Sequence, residues 1–445
     1  MIHSIIGIAL PVIQIDLGFT PGGLSWIFNA YVIALGGLLL LGGKLGDVFG
    51  ARRMFMLGFA ILTGASLLAG LAGSQELLLA GRALQGVGAA LIAPSALAIV
   101  MRLFAHNGAE LGKAFGFWGA AAAAGGTAGV FFGGVITEWL SWPWTFLINV
   151  PMGLVVLIAS PAVIRYASPS VGKIDWLGAA TVTAALVTAV LAIVTTEPGE
   201  WTSIRTLLLL AAALVLLAVF LLTQGLRREP LLPLRIFAVP NLAAGNLLMA
   251  LLGAAWIPLW FYLNLYLQQT LHLSALASGL ALLPMTLTIM VVMVGLSGKL
   301  IGRFGIKANI VLGLLAMGGA LLLFTQVPAK GDYFVDVLPA SLLAALGMAL
   351  AYIPVTMTGM AGARPEETGL ASGLVNTTYQ VGSAIGLAVM VALAAGSTRV
   401  AADGGALLSG FHAAFFGAAI VTLVGAAIGL VALRSAPAAS EVPVG

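Results

Sequence analysis

The chain is a succession of long apolar segments, about fourteen of them, joined by connections too short to hold a further domain. A membrane-spanning helix needs roughly 20 mostly apolar residues, because lipid satisfies no backbone polar group. On that rule the spans read 1–17, 24–43, 54–73, 78–103, 114–136, 144–165, 175–195, 204–224, 242–267, 276–300, 308–327, 335–360, 370–395 and 410–434. Charged residues make up 8% of the chain, against about 25% in soluble domains. So little charge cannot clothe a surface that faces water. The net charge of +4 therefore reports topology and implies no nucleic-acid partner. Cysteine is absent, and His3, His106, His272 and His412 share no ligand spacing. No metal, cofactor or thiol chemistry is implied, and the chain does not read as an enzyme.

The charge pattern orients the spans. With the first running outward, the inside segments hold Lys44, Arg52, Arg53, Arg102, Lys113, Arg165, Lys173, Arg227, Arg228, Arg235, Lys299, Arg303, Lys307, Arg364 and Arg434. The outside segments hold Arg205, Lys330 and Arg399, and Arg82 alone falls within a span. An even number of spans with this bias predicts that both termini are cytoplasmic.

A repeat is visible within the chain. The stretch from Gly43 through Asp47, Gly50 and Arg52 recurs from Gly298 through Gly302, Gly305 and Lys307. Gly112, Gly116, Gly125 and Gly129 recur at Gly369, Gly373, Gly382 and Gly386 with a constant shift. The repeat predicts an all-α polytopic membrane protein built from two parallel six-helix bundles. The expected division is 1–165 for the first bundle, 166–235 for two inserted helices and linkers, 236–434 for the second bundle, and a disordered cytoplasmic tail over 435–445. Such repeats commonly place a solute site between the halves near the midplane.

The spacing Gly43-x-Leu45-x-Asp47-x-x-Gly50-x-Arg52-Arg53 resembles motif A of the major facilitator superfamily. Arg82-x-x-Gln85-Gly86-x-Gly88 resembles its motif B. Gly125-x-x-x-Gly129-Val130-x-x-Gly133-Gly134 resembles motif C, the exporter signature, with Val130 at the usual proline. The run Ser141-Trp142-Pro143-Trp144-Thr145-Phe146-Leu147-Ile148-Asn149-Val150-Pro151 is similar to the entry to helix 6 of fourteen-helix drug:proton antiporters of the EmrB/QacA type. The resemblance covers residues 1–434. It implies the major facilitator fold, with Asp47 as a latch between the bundles at the cytoplasmic side. It also implies proton-coupled efflux of small lipophilic compounds, with protons and the bilayer as partners and a monomer as the working unit.

Each motif has a plainer reading. Asp47 would cap a helix in a basic loop. Arg82 would snorkel to the outer interface, and the motif C glycines would only let helices pack closely. In the resembled family an aspartate often sits where this chain has Ile2; His3 follows and is the titratable candidate for proton coupling beside Arg82 and Gln85. No Asp or Glu lies near the centre of any span, which favours neutral or weakly charged substrates. Polar candidates for a central cavity are Asn29, Asn149, Asn246, Tyr262, Asn264, Tyr352, Thr356, Asn376, Tyr379 and Gln380. A non-transporting membrane scaffold or sensor of the same fold is the alternative.

Overall fold

The computed structural model describes residues 2–19, 25–104, 108–164, 175–196, 202–227, 230–232, 234–239, 241–364, 367–400 and 406–433. The tail 435–445, His106, Arg165, Lys173, Arg228, Arg434 and the side chain of His3 lie outside what is described. Among the described residues every regular element is helical. They are α1 (Ile2–Leu17), α2 (Ser25–Phe49), α3 (Ala51–Gly70), α4 (Gln75–Phe104), α5 (Gly108–Trp139), α6 (Trp144–Leu147), α7 (Asn149–Val163), α8 (Trp176–Thr195) and α9 (Ile204–Leu226). After them come α10 (Leu242–Leu265), α11 (Ala275–Ala281), α12 (Leu283–Val291), α13 (Ser297–Phe324), α14 (Leu338–Met360), α15 (Thr368–Val400) and α16 (Ala406–Ala432).

Ten helical stretches among the described residues are long and apolar enough to cross a bilayer. One of them, Ala277–Phe324, is 48 residues long, about twice the length a span needs. It turns at Gly305, whose φ of 78° is a left-handed conformation that glycine adopts without a Cβ clash. Gly50, the counterpart of Gly305 in the repeat, has φ 93° and separates α2 from α3 by itself. The segment Gly43–Phe49 was expected to be loop. It is instead the helical end of α2, and the reversal is confined to Gly50.

Polar side chains mark where α8, α9 and α11 begin. Asp175 accepts from the Gly178 N–H at the start of α8. Ser203 and Ser274 accept from the Thr206 and Ala277 N–H groups at the starts of α9 and α11. Each satisfies one backbone donor that the first turn leaves open.

The first helices pack among themselves, α2 and α3 on α4, α7 on α3, and α1 on α5. The last ones do likewise, α10 on α15 and α16, and α13 on α14 and α16. The pair α8–α9 lies against α2. Its outward face keeps Leu208, Leu214, Val215 and Leu222 more than half exposed, as a surface in contact with lipid requires. The two groups meet where α15 contacts α2 and α4, and where α5 contacts α12 and the π-turn Val292–Leu296.

Candidate functional site

The most constrained polar contact joins the two halves of the chain. Asp47, in the last turn of α2, is 1% exposed. Its carboxylate accepts from the Gly369 N–H at 2.8 Å and the Leu370 N–H at 2.9 Å. These amides open α15, where the helix dipole favours a negative group. The Arg102 guanidinium, from the end of α4, stands 3.5 Å from the same carboxylate. The helices can approach this closely because Gly43, Gly369 and Gly373 lack side chains: a Cβ on Gly43 would run into the Gly369 carbonyl. Ser372 adds a hydrogen bond of 3.0 Å to the Pro94 carbonyl on α4. Arg52 donates to the Pro161 carbonyl of α7, and Arg53 is exposed.

A second cluster surrounds Arg82 on α4. The residue is 0% exposed, so it does not snorkel to an interface. Its Nε donates to the Ile27 carbonyl of α2 at 2.7 Å. One terminal nitrogen donates to Gln85 Oε1 at 2.7 Å, the bond expected from their spacing along one helix face. Gln85 in turn donates to Ser66 Oγ on α3 at 2.8 Å. The guanidinium also lies over the Tyr31 ring, 4.6 Å from its centroid, a cation–π geometry. Gly86 lets α4 close on α2, since a Cβ there would meet the Tyr31 carbonyl. One short network thus ties three helices together.

Between the halves lies a cavity of about 330 Å³, at the small end of the roughly 300–1,000 Å³ typical of ligand sites. Gly119 and Gly126 of α5 form one wall. Trp256, Ile257 and Trp260 of α10, Ile289 of α12, Met293 of the π-turn, Met348 and Tyr352 of α14 and Tyr379 of α15 form the rest. Trp256 and Trp260 meet edge to face with centroids 6.3 Å apart, and Tyr352 and Tyr379 do so at 6.1 Å. Among the described residues the lining carries no charged side chain.

Of the polar candidates, the structure brings Tyr352 and Tyr379 together on this cavity. The others lie away from its lining. Asn246 donates to the Leu242 and Gly359 carbonyls and accepts from Thr378, joining α10, α14 and α15. Tyr262 sits among Phe261, Phe411 and Phe415 and donates to the Met390 carbonyl. Asn149 donates back to the Phe146 carbonyl, Asn376 donates back to the Ser372 carbonyl, and Asn264 accepts from Gln268. Thr356 bonds the Tyr352 carbonyl. Asn29 is buried on α2 and Gln380 half-buried on α15. Gly125, Gly129, Gly133 and Gly134 run along α5, whose neighbours are α1 and the α12 segment.

A search for polar groups misses Trp256, Trp260, Met293 and Met348. The available signal was a pair of tryptophans four residues apart at mid-span, away from the interfaces that such residues favour.

Two packed helix groups, a central cavity and a polar junction across one end define a membrane carrier for a small solute. The sequence model of the Major Facilitator Superfamily matches residues 1–387, and the chain belongs to that family. It is 37% identical to the cephamycin export protein CmcT of Amycolatopsis lactamdurans, over 94% of this chain and 87% of that one. It is 35% identical to the puromycin resistance protein pur8 of Streptomyces alboniger, over 89% and 79% of the two chains. The proton:xylose symporter XylE shares the fold, with a TM-score of 0.66 at 14% identity, covering 98% of this chain and 92% of that one.

Proposed function

We propose that this protein is a proton-coupled exporter of small lipophilic compounds, an antiporter that moves its two halves alternately around the central cavity. One observation carries the reading. The Asp47 carboxylate of α2 holds the first amides of α15, and these bonds must break if the halves are to part at that end. Asp47, Gly43, Gly50, Arg52 and Arg53 then act as the conformational latch. The buried pair Arg82 and Gln85 is the first candidate for coupling to protons. The export and resistance named for CmcT and pur8 support the outward direction.

The same reading takes the chain as a fourteen-span monomer of the EmrB/QacA type with both termini cytoplasmic. Its divisions are 1–165, 166–235 and 236–434, with a tail over 435–445. The test is efflux of a lipophilic dye from proteoliposomes with and without an imposed pH gradient. Export that ignores the gradient removes the proton, and no transport of any lipophilic probe leaves the scaffold reading. The natural lack of cysteine gives a topology test: Arg228→Cys is expected to resist an impermeant thiol reagent in intact cells, and Gly199→Cys to react. The reverse pattern excludes the fourteen-span arrangement.

A further inference from the structure

The central cavity has a chemistry more specific than lipophilicity. Its walls offer ring faces from Trp256, Trp260, Tyr352 and Tyr379 and the sulfur atoms of Met293 and Met348. Both groups favour contact with aromatic faces and edges. The described lining residues have no charge to compensate a cation or an anion, and a charge buried without a partner is strongly disfavoured. The polar side-chain groups among the described lining residues are the Tyr352 and Tyr379 hydroxyls and the Trp256 and Trp260 indole N–H groups, each able to donate. Such donors pair with an acceptor that carries no charge of its own, a carbonyl oxygen.

The depth of the cavity is set on α5. Gly119 is filled in effect by its neighbour, because a Cβ there would run into Met293 Sδ. Gly126, two turns along the same helix, has no heavy atom within 4 Å of where its Cβ would stand. The space beside Gly126 is therefore open among the described residues, and a Cβ at that position would enter it without meeting a neighbour.

We propose that this cavity is a binding site for one flat, uncharged, fused-ring molecule bearing a carbonyl oxygen, and that Gly126 sets the largest ring system it accepts. The inference rests on the exporter reading only for its purpose; binding itself needs no gradient. The test is equilibrium dialysis of the purified protein in detergent, with empty micelles as the blank, against three probes of one shape. These are acridone, which is neutral, N-methylacridinium, which is a permanent cation, and anthracene-2-carboxylate, which is an anion. Acridone is expected to saturate one site per chain, and the two ions to bind at least about tenfold more weakly. Gly126→Leu is expected to weaken acridone at least about tenfold, with elution volume and helicity unchanged, because it fills the open space. If Gly126→Leu does not fold, Ile257→Trp, which adds bulk from the α10 wall, carries the same expectation. Equal binding of the three probes overturns the proposal, as does unchanged acridone affinity in the folded variant. Acridone binding without efflux from proteoliposomes removes the exporter and keeps the site. Efflux of a non-aromatic lipophile without acridone binding removes the site and keeps the exporter.

Discussion

The two copies of the internal repeat end in the same backbone and in different chemistry. Gly50 closes the first copy with φ 93° and Gly305 bends the second with φ 78°. Both copies also make a close contact with a helix of the other half. Gly373 lies against the Leu39 carbonyl, and its counterpart Gly116 lies against the Met293 carbonyl. The carboxylate is present only once. Asp47 is buried and bonded to α15, whereas Gly302 stands in its place in the second copy and is exposed. At positions 298, 302 and 305 no described heavy atom lies within 4 Å of where a Cβ would stand. Lys307 there reaches the Leu433 carbonyl, and Arg303 covers Phe304. The helix α14, counterpart of α4, likewise has no basic residue to match Arg82. Repetition preserved the turn and the packing, while the polar chemistry was placed in one half. A carrier whose halves are held at one end needs only one such latch.

The largest expected effect separates the two copies directly. Gly43→Leu would drive a side chain into the Gly369 backbone, and overpacking of this kind costs about 1–3 kcal/mol. Export should be lost and the thermal midpoint lowered. Gly298→Leu at the matching position meets open space and should change stability by less than about 0.5 kcal/mol. Equal effects in melting and efflux assays would mean that the copies do not differ as described.

Arg82→Ala comes next. It leaves Gln85 and the Ile27 carbonyl without their buried donor, a loss of about 1–3 kcal/mol. It is expected to insert normally and to abolish gradient-driven efflux. Arg82→Lys keeps the charge but not the planar fork, and should recover only part of the activity. Full transport by Arg82→Ala would leave this cluster a structural tie.

Asp47→Asn should slow turnover by about ten- to a hundredfold, from about 1.5–3 kcal/mol per charged hydrogen bond, while substrate affinity stays near wild type. Adding Gly302→Asp to Asp47→Asn should restore nothing, since no described heavy atom lies within 4 Å of where a Cβ at position 302 would stand. Restored turnover would show that either copy can carry the latch.

The smallest effect belongs to Arg235 and Glu367, a pair 2.8 Å apart whose arginine side chain is 61% exposed. Exposed pairs contribute about 0.2–1 kcal/mol, so Arg235→Ala should alter turnover less than about fivefold. A larger loss would add this linker contact to the junction at α15.

What the sequence determined by itself is local. Long apolar runs demand helices in lipid, a glycine before a new helix allows the left-handed turn at Gly50, and the spacing of Arg82 and Gln85 places them on one face. These follow from hydropathy, backbone freedom and helical periodicity, none of which needs a distant neighbour. The partner of Asp47 is another matter, because its amides lie 322 and 323 residues away. Position along the chain also left open which way each helix is rotated. That rotation sends Tyr352 and Tyr379 to the cavity and Asn246 into a tie between three helices, although all three read alike as polar groups in apolar spans. It also brings Trp256, Trp260 and Met293 to the cavity wall, where sequence suggested only more lipid-compatible bulk. Burial of Arg82 was decided in the same way, by the closing of α2 and α3 around α4. Tertiary packing alone chooses among faces that are equally apolar, since the bilayer accepts any of them and only the fit against neighbouring helices tells them apart.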